Sequence, residues 1–267
     1  MSLEVFGYIA AIVMGLVLGL IGGGGSILTV PILVYLFHIS ATNATAYSLF
    51  IVGITALVGS LNYWRRGQVD VKTGLLFAAP TLIGTYAARA WLVPLVPKNL
   101  AQIGSFTLTK DIFILLAFAI IMVLAAISML RPRRVSTTQH LSAAQKLGLT
   151  LLEGLVVGVI TGFVGAGGGF LVIPVLVLLG GLPMKMAVGT SLMVIAIKSL
   201  TGFMGDIGNG LAVDWVLIGS LTGLALIGNV FGGLFSQRVP EAALKTSFGW
   251  FVLLMGAWII SKELHLI

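Results

Sequence analysis

The sequence IGGGGSILTVP at residues 21–31 recurs in altered form as VGAGGGFLVIP at residues 164–174. In both stretches a cluster of glycines is followed, within one or two turns, by a proline. Glycine disfavours a helix interior by about 1 kcal/mol per residue, whereas proline is tolerated in a first helical turn. Each stretch therefore predicts that one helix ends at the glycines and that a short second helix begins just after them.

The two stretches belong to an internal repeat. A shift of 143 residues aligns 15–49 with 158–192 and gives 13 identities in 35 positions. A shift of 144 then places Asp70 on Asp214 and Gly84 on Gly228. This alignment predicts an N-terminal repeat at 1–130, a basic linker at 131–146 and a C-terminal repeat at 147–267.

The composition excludes a soluble globular domain. Hydrophobic residues make up 58% of the 267 residues and charged residues 9%, against roughly a quarter charged in ordinary soluble domains. Mean hydropathy is +1.13. The net charge of +7 would favour nucleic acid as the partner of a soluble protein, but here it is better explained by cytoplasmic loops. We expect a lipid bilayer and no nucleic acid.

Apolar runs follow one another at about 3–21, 26–38, 42–62, 72–93, 110–130, 147–164, 169–181, 186–205, 212–235 and 243–262. Most reach the ~20 residues that a spanning helix needs. The second run of each repeat has 13 residues, about 20 Å of helix, which is too short for a core of ~30 Å. The prediction is an all-α polytopic membrane protein with a short, glycine-interrupted helix pair in each repeat.

The number of segments predicts that the repeats are inverted. If the first two of the five segments both span, each repeat crosses five times; if they form a re-entrant hairpin, it crosses three times. Both counts are odd, so the second repeat is inverted relative to the first. The sequence leaves the choice between the two counts open.

Loop charge predicts the orientation in the cell (inner) membrane. The linker from Arg131 to Lys146 is the most basic loop and is therefore expected to be cytoplasmic. The loops at 94–109 and 206–214 then lie outside, as do both termini. The apolar start at 1–21 lacks a basic n-region, so we assign it to the mature protein and not to a signal peptide.

The glycine clusters are candidate anion sites, because a helix that starts there offers unpaired N–H groups and a partial positive charge. Ser26 or Thr29 is expected to cap the first short helix, whereas Val172 and Ile173 cannot cap the second. The alternative is close helix packing, as expected at Gly15 with Gly19 and at Gly158 with Gly162. The candidate binding residues of the clusters are Gly22, Gly23, Gly24, Gly25, Ser26, Gly165, Gly167, Gly168 and Gly169.

Lys198 lies deep in its apolar run, where a cation is costly and usually functional. Ser191 is seven residues earlier on the same helical face, with Thr190 beside it. The first repeat carries Ser48 at the position of Ser191 and Thr55 at the position of Lys198. We predict that Ser48, Thr190, Ser191 and Lys198 contact the anion. The alternative is that Lys198 snorkels or pairs with Asp206.

Other charged residues support weaker hypotheses. Arg89 is a candidate guard of the anion path, with snorkelling as its alternative. Glu153 is a candidate proton-coupling group, or it reaches the cytoplasmic interface. Asp206 and Asn209 are predicted to be loop and cap residues, or to line an outer vestibule. No hydrolase, protease or nucleotide motif is present, so we expect no enzyme, no metal and no cofactor.

The two glycine-and-proline stretches, with AVGTSL at residues 187–192, resemble the TauE/SafE family of sulfite exporters. The resemblance covers essentially the whole chain and implies a secondary transporter of sulfite, of sulfonates such as sulfoacetate or sulfolactate, or of related anions. One departure is Tyr47 at the position of Thr190, which implies a less polar site in the first half.

We therefore expect a carrier that exports a small sulfur-containing anion. The anion is expected to bind near the membrane midplane, at the paired helix starts and the buried lysine. Two alternatives stay open: proton-coupled anion uptake through Glu153, and a non-transporting membrane scaffold or sensor. The sequence leaves the exact anion and the oligomeric state open.

Overall fold

The computed structural model of the chain describes residues 3–97, 99–103, 106–130, 143–165, 172–173, 176–177, 181–236 and 240–264. The helices are α1 Leu3–Ile21, α2 Thr29–Tyr35, α3 Ala41–Arg65, α4 Val71–Ala87, α5 Val93–Leu95, α6 Lys110–Leu130, α7 Ala143–Val164, α8 Met184–Gly208, α9 Trp215–Phe235 and α10 Glu241–Glu263. A 3-10 turn at Gly23–Leu28 precedes α2, and a π-helical turn at Ala88–Leu92 joins α4 to α5.

Five of the described helices are long and apolar enough to cross a membrane, which confirms an all-α polytopic membrane protein in this coarse form. They are Ala41–Arg65, Val71–Leu95, Lys110–Ile127, Met184–Gly208 and Trp215–Phe235. The segment at 94–109, predicted as a loop, contains an antiparallel hairpin of β1 Asn99–Ile103 and β2 Phe106–Thr109. Strands this short alternate too briefly to be found by periodicity.

Gly22 ends α1 and reverses the chain. Its φ of 77° and ψ of −134° suit glycine far better than any other residue. The returning segment packs along α1: the rings of Tyr8 and Phe37 lie 5.3 Å apart between centroids, and a Cβ on Gly25 would lie 2.6 Å from the Met14 carbonyl oxygen. The 3-10 turn and α2 together rise about 22 Å, less than the ~30 Å of the hydrocarbon core.

The predicted break at the first glycine cluster is confirmed, but the short helical segment begins inside the cluster, at Gly23, and not after it. Gly25 explains the difference, because a residue without a side chain lets the turn lie directly on α1. The predicted caps are wrong. The Ser26 hydroxyl donates to the Gly23 carbonyl at 2.6 Å, and neither this residue nor Thr29 caps a helix start.

The second cluster is described only at its edge. α7 ends at Val164, and Gly165 has a φ of 73°, so the chain departs from the helix at the residue equivalent to Gly22. Gly167, Gly168 and Gly169 lie outside the described residues. The described positions that follow, 172–173 and 176–177, are helical.

Glycines allow two helix pairs to approach closely. α1 packs on α9, and a Cβ on Gly15 would lie 2.7 Å from the Ala225 carbonyl carbon. α4 packs on α7, and a Cβ on Gly158 would lie 2.8 Å from Thr81 Cα. The close packing expected of these two glycines is confirmed.

Helices α3 and α8 form an antiparallel pair at the centre of the molecule. The Phe50 and Phe203 rings lie 5.1 Å apart between centroids. Further along, a Cβ on Gly59 would lie 3.2 Å from Leu192 Cδ1. α3 also packs on α9, and α8 packs on α4. The α3–α9 and α8–α4 contacts are counterparts, because each joins equivalent helices with the two repeats exchanged. The α1–α9 and α7–α4 contacts are counterparts in the same way.

Candidate anion-binding site

Lys198 is a buried cation near the middle of α8. Its residue surface is 1% exposed, and its Nζ donates to the Thr161 hydroxyl of α7 at 2.7 Å. In the described part of the chain no carboxylate oxygen lies within ion-pair distance of this ammonium. Both alternatives from the sequence, snorkelling and pairing with Asp206, are therefore wrong. A buried ammonium that has one neutral partner is a strong attractor for an anion.

Ser191 lies against the first chain break. Its hydroxyl donates to the Val188 carbonyl at 2.7 Å, and a Cβ on Gly22 would lie 3.4 Å from Ser191 Oγ. Seven residues of helix separate this serine from Lys198, about 10 Å of rise. The structure therefore places Ser191 and Lys198 at different depths on one face of α8.

Arg89 lies beside the second chain break. Its residue surface is 0% exposed, so the snorkelling alternative is wrong. Nη1 donates to Thr45 Oγ1 at 3.0 Å, and a Cβ on Gly165 would lie 2.5 Å from Thr45 Cα. Arg89 is part of the π-helical turn, a feature that often marks a functional position.

Asp206 faces Arg89 from the far end of α8. Its Oδ2 lies 3.5 Å from Arg89 Nη1. The sequence predicted Asp206 in a loop, but α8 continues to Gly208, and Asp206 is buried in its last turns beside Arg89. Asn209 is the C-cap of α8, as predicted, and its amide donates to the Arg89 carbonyl at 3.2 Å.

The polar groups therefore follow one another along α8. Ser191 with Gly22 lies towards the start of the helix, Lys198 with Thr161 near the middle, and Asp206 with Arg89 towards the end. The steps are about 10 Å and about 12 Å of helical rise. The structure does not bring the breaks at Gly22 and Gly165 together at Lys198; it places them on either side of it.

Thr190 has a different neighbour. Its Oγ1 accepts the N–H of Asp70 at 2.9 Å, and Asp70 is the N-cap of α4. In the other repeat Tyr47 Oη accepts the N–H of Asp214, the N-cap of α9, at 3.0 Å. The two residues that differ between the repeats therefore make equivalent bonds to the opposite repeat.

The remaining predicted residues are buried or half-buried. Gly23, Gly24 and Ser26 are buried in the 3-10 turn. Ser48 is buried, and its Oγ has no hydrogen-bond partner among the described residues. Glu153 is half-buried on α7, about 12 Å of helical rise from Thr161.

The sequence analysis did not single out Thr161 or Thr45. The repeat alignment contained a signal for Thr161, since the equivalent residue of the first half is Leu18. A polar residue in one repeat that aligns with an apolar residue in the other marks a position where the two halves differ in role. The same signal was present for Thr45, since the equivalent residue of the second half is Val188.

Comparison with known proteins decides the class of the molecule. The family model described as Sulfite exporter TauE/SafE matches residues 8–259. The chain belongs to the TauE/SafE sulfite exporter family. It is accordingly a multi-pass membrane transporter, which is what the buried cation and the chain breaks indicate. No solved structure matches this family member.

Curated relatives cover nearly the whole chain. The probable membrane transporter protein YdhB of Bacillus subtilis (strain 168) is 28% identical over 235 residues, which is 88% of this chain and 91% of the relative. A probable membrane transporter protein of Xylella fastidiosa (strain 9a5c) is 28% identical over 255 residues, 94% of this chain and 92% of the relative. YunE of Bacillus subtilis, described in the same words, is 26% identical over 276 residues, 95% of this chain and 97% of the relative.

Proposed function

We propose that this transporter exports a small sulfur-containing anion, such as sulfite or an organosulfonate like sulfoacetate, through a central site at Lys198. The observation that carries the proposal is the Lys198 ammonium, which is buried and, among the described residues, donates only to the Thr161 hydroxyl. An ammonium has three donors. An oxyanion beside Thr161 would supply the acceptors and the negative charge that the described residues do not provide.

The chain breaks flank this central site. The breaks at Gly22 and Gly165 lie on either side of Lys198. The anion contacts the backbone N–H groups of one break before it reaches Lys198 and those of the other break afterwards. Their role rests on bare backbone, which a glycine leaves open to a ligand. Gly167, Gly168 and Gly169 belong to the same proposal, as does the Ser48 hydroxyl, which has no hydrogen-bond partner in the described part of the chain.

An inverted pair of repeats is part of the proposal. Three observations support it: equivalent helices α3 and α8 run antiparallel, helix contacts recur with the halves exchanged, and Thr190 with Asp70 mirrors Tyr47 with Asp214. Inverted repeats exchange roles during alternating access. The linker at 131–146 is cytoplasmic in this scheme, and both termini are external.

Export is the direction that the membrane potential favours. The chain has no nucleotide-binding motif, so transport runs on gradients. Moving one negative charge out of a cell with a negative interior gains ~2.3 kcal/mol per 100 mV. Proton-coupled uptake through Glu153 has less support, because this carboxylate is half-buried and lies away from Thr161.

The test is sulfite efflux from proteoliposomes that contain the purified full chain. We expect protein-dependent efflux that accelerates when a potassium gradient with valinomycin makes the interior negative. Protein-free liposomes measure the leak. We expect Lys198→Gln to lower the efflux and its matched control Lys72→Gln, which alters an exposed lysine, to leave it unchanged. Efflux that requires a proton gradient would favour coupled transport, and no protein-dependent flux of sulfite or sulfoacetate would overturn the proposal.

A further inference from the structure

One edge of the buried Arg89 guanidinium has no hydrogen-bond acceptor among the described residues. Nη1 contacts Thr45 and Asp206, whereas Nε and Nη2 are buried and have no hydrogen-bond partner among the described residues. A fully buried donor pair without acceptors is costly. A buried group of this kind calls for an explanation, and a bound ion or ligand is one that also accounts for its charge.

The shape of the free edge points to a class of ligand. Nε and Nη2 present two N–H groups side by side, in the fork geometry that binds two oxygens of one carboxylate, sulfonate or phosphate group. Lys198 offers a point charge instead. The two cations therefore differ in what they recognise, although both suit a sulfur oxyanion.

Asp206 is a weak partner for so deeply buried a cation. Its Oδ2 is 3.5 Å from Arg89 Nη1, beyond the ≈ 2.7–2.9 Å of a charge-assisted hydrogen bond, and Oδ2 itself has no hydrogen-bond partner among the described residues. A buried ion pair offsets its desolvation only when its geometry is good. The carboxylate balances the charge of Arg89 but leaves its hydrogen bonds unmade.

We propose that Arg89 is a second anion-binding residue of this carrier, which takes an oxyanion on its Nε–Nη2 edge, and that Asp206 is its internal counter-ion in the anion-free protein. The inference rests on the proposed anion transport and deepens it. The anion is held at Arg89 beside the Gly165 break and at Lys198 about 12 Å further along α8. Because Asp206 repels the anion, it keeps the Arg89 site weak enough to release its ligand.

The test measures sulfite binding by isothermal titration to the purified full chain carrying Lys198→Gln, so that the remaining binding reports Arg89. The added changes are Asp206→Asn, Arg89→Lys and, as a matched control, Asp111→Asn. Asp111 is a carboxylate at the same end of the α3–α8 pair, where it accepts from Thr42, and an asparagine there still offers an acceptor.

We expect Asp206→Asn to tighten sulfite binding at least about fivefold and Arg89→Lys, which keeps the charge but loses the fork, to weaken it at least about fivefold. Asp111→Asn should change it by less than about twofold. Equal affinities with and without the Arg89→Lys change, or no sulfite binding in any of these proteins, would overturn the proposal. If Asp206→Asn does not fold, the Arg89→Lys comparison decides alone.

The outcomes separate this inference from the export proposal. Sulfite efflux that depends on Lys198, together with binding that is insensitive to Arg89→Lys, overturns only the second anion residue. Arg89-dependent binding in a protein that moves no sulfite overturns only the export proposal.

Discussion

The Lys198 ammonium lies 2.7 Å from the Thr161 hydroxyl oxygen, and this contact joins α8 of the second repeat to α7, the helix that ends at the second chain break. In the first repeat the equivalent residues are Thr55 and Leu18. The halves are thus alike in their helices and different in the polar pair at their centre.

Thr161→Val tests whether the hydroxyl helps to hold the anion. The change keeps the shape of the side chain and removes its oxygen. We expect sulfite affinity, measured by titration calorimetry, to fall by about 0.5–1.5 kcal/mol, a few-fold. Thr222→Val is the control, because Thr222 is also buried and, like Thr161, donates within its own helix, whereas only Thr161 accepts from Lys198. Equal losses in both variants would assign the effect to general destabilisation.

Gly15 and Gly219 test the close packing of α1 on α9. Gly15→Val places a side chain against the Ala225 backbone, whereas a Cβ on Gly219 has no heavy atom within 4 Å. We expect Gly15→Val to destabilise the protein by about 1–3 kcal/mol and Gly219→Val to have little effect. Melting temperatures in detergent measure both. Similar melting temperatures for the two variants would contradict the described packing.

Tyr47 and Thr190 test the reciprocal contacts between the repeats. Tyr47→Phe and Thr190→Val each remove the acceptor of a helix N-cap N–H, from Asp214 and Asp70 respectively. Each variant is expected to lose about 0.5–1.5 kcal/mol of stability, seen as a lower melting temperature. A loss in one variant and none in the other would mean that the two contacts are not equivalent.

Orientation is tested with single cysteines in this cysteine-free chain. Loop charge predicts that Cys replacing Gly208 is labelled from outside by a membrane-impermeant maleimide, and that Cys replacing Ser136 is labelled only after permeabilisation. Gly208 is exposed, and a Cβ there meets no heavy atom within 4 Å. The reverse pattern would invert the proposed topology.

Composition and the glycine clusters predicted the helical membrane fold, because burial in lipid dictates long apolar runs and four adjacent glycines disfavour a continuous helix. The position of Lys198 deep in an apolar run favoured its burial, with snorkelling as the alternative. Its partner could not be predicted, since the contact with Thr161 depends on how α7 and α8 are rotated against each other. That rotation is set by packing across the repeat interface, and it produces no hydrophobic periodicity by which the sequence could reveal it.

The burial of Arg89 could not be predicted from its local sequence either. Near the end of an apolar run, a snorkelling arginine and a buried one have identical local sequence. What decides between them is Thr45 of α3 and Asp206 of α8, both distant in the chain. Because α8 extends beyond its apolar run, Asp206 is part of the helix and lies beside Arg89.

The central claim is that Lys198 holds the transported anion. Isothermal titration of sulfite into the purified Lys198→Gln protein tests it most directly, with Lys72→Gln as the matched control. Removal of a buried charge-assisted hydrogen bond predicts a loss of about 1.5–3 kcal/mol, roughly 10- to 150-fold in affinity, with the control unchanged. A folded Lys198→Gln protein that binds sulfite as tightly as the wild type would contradict the claim.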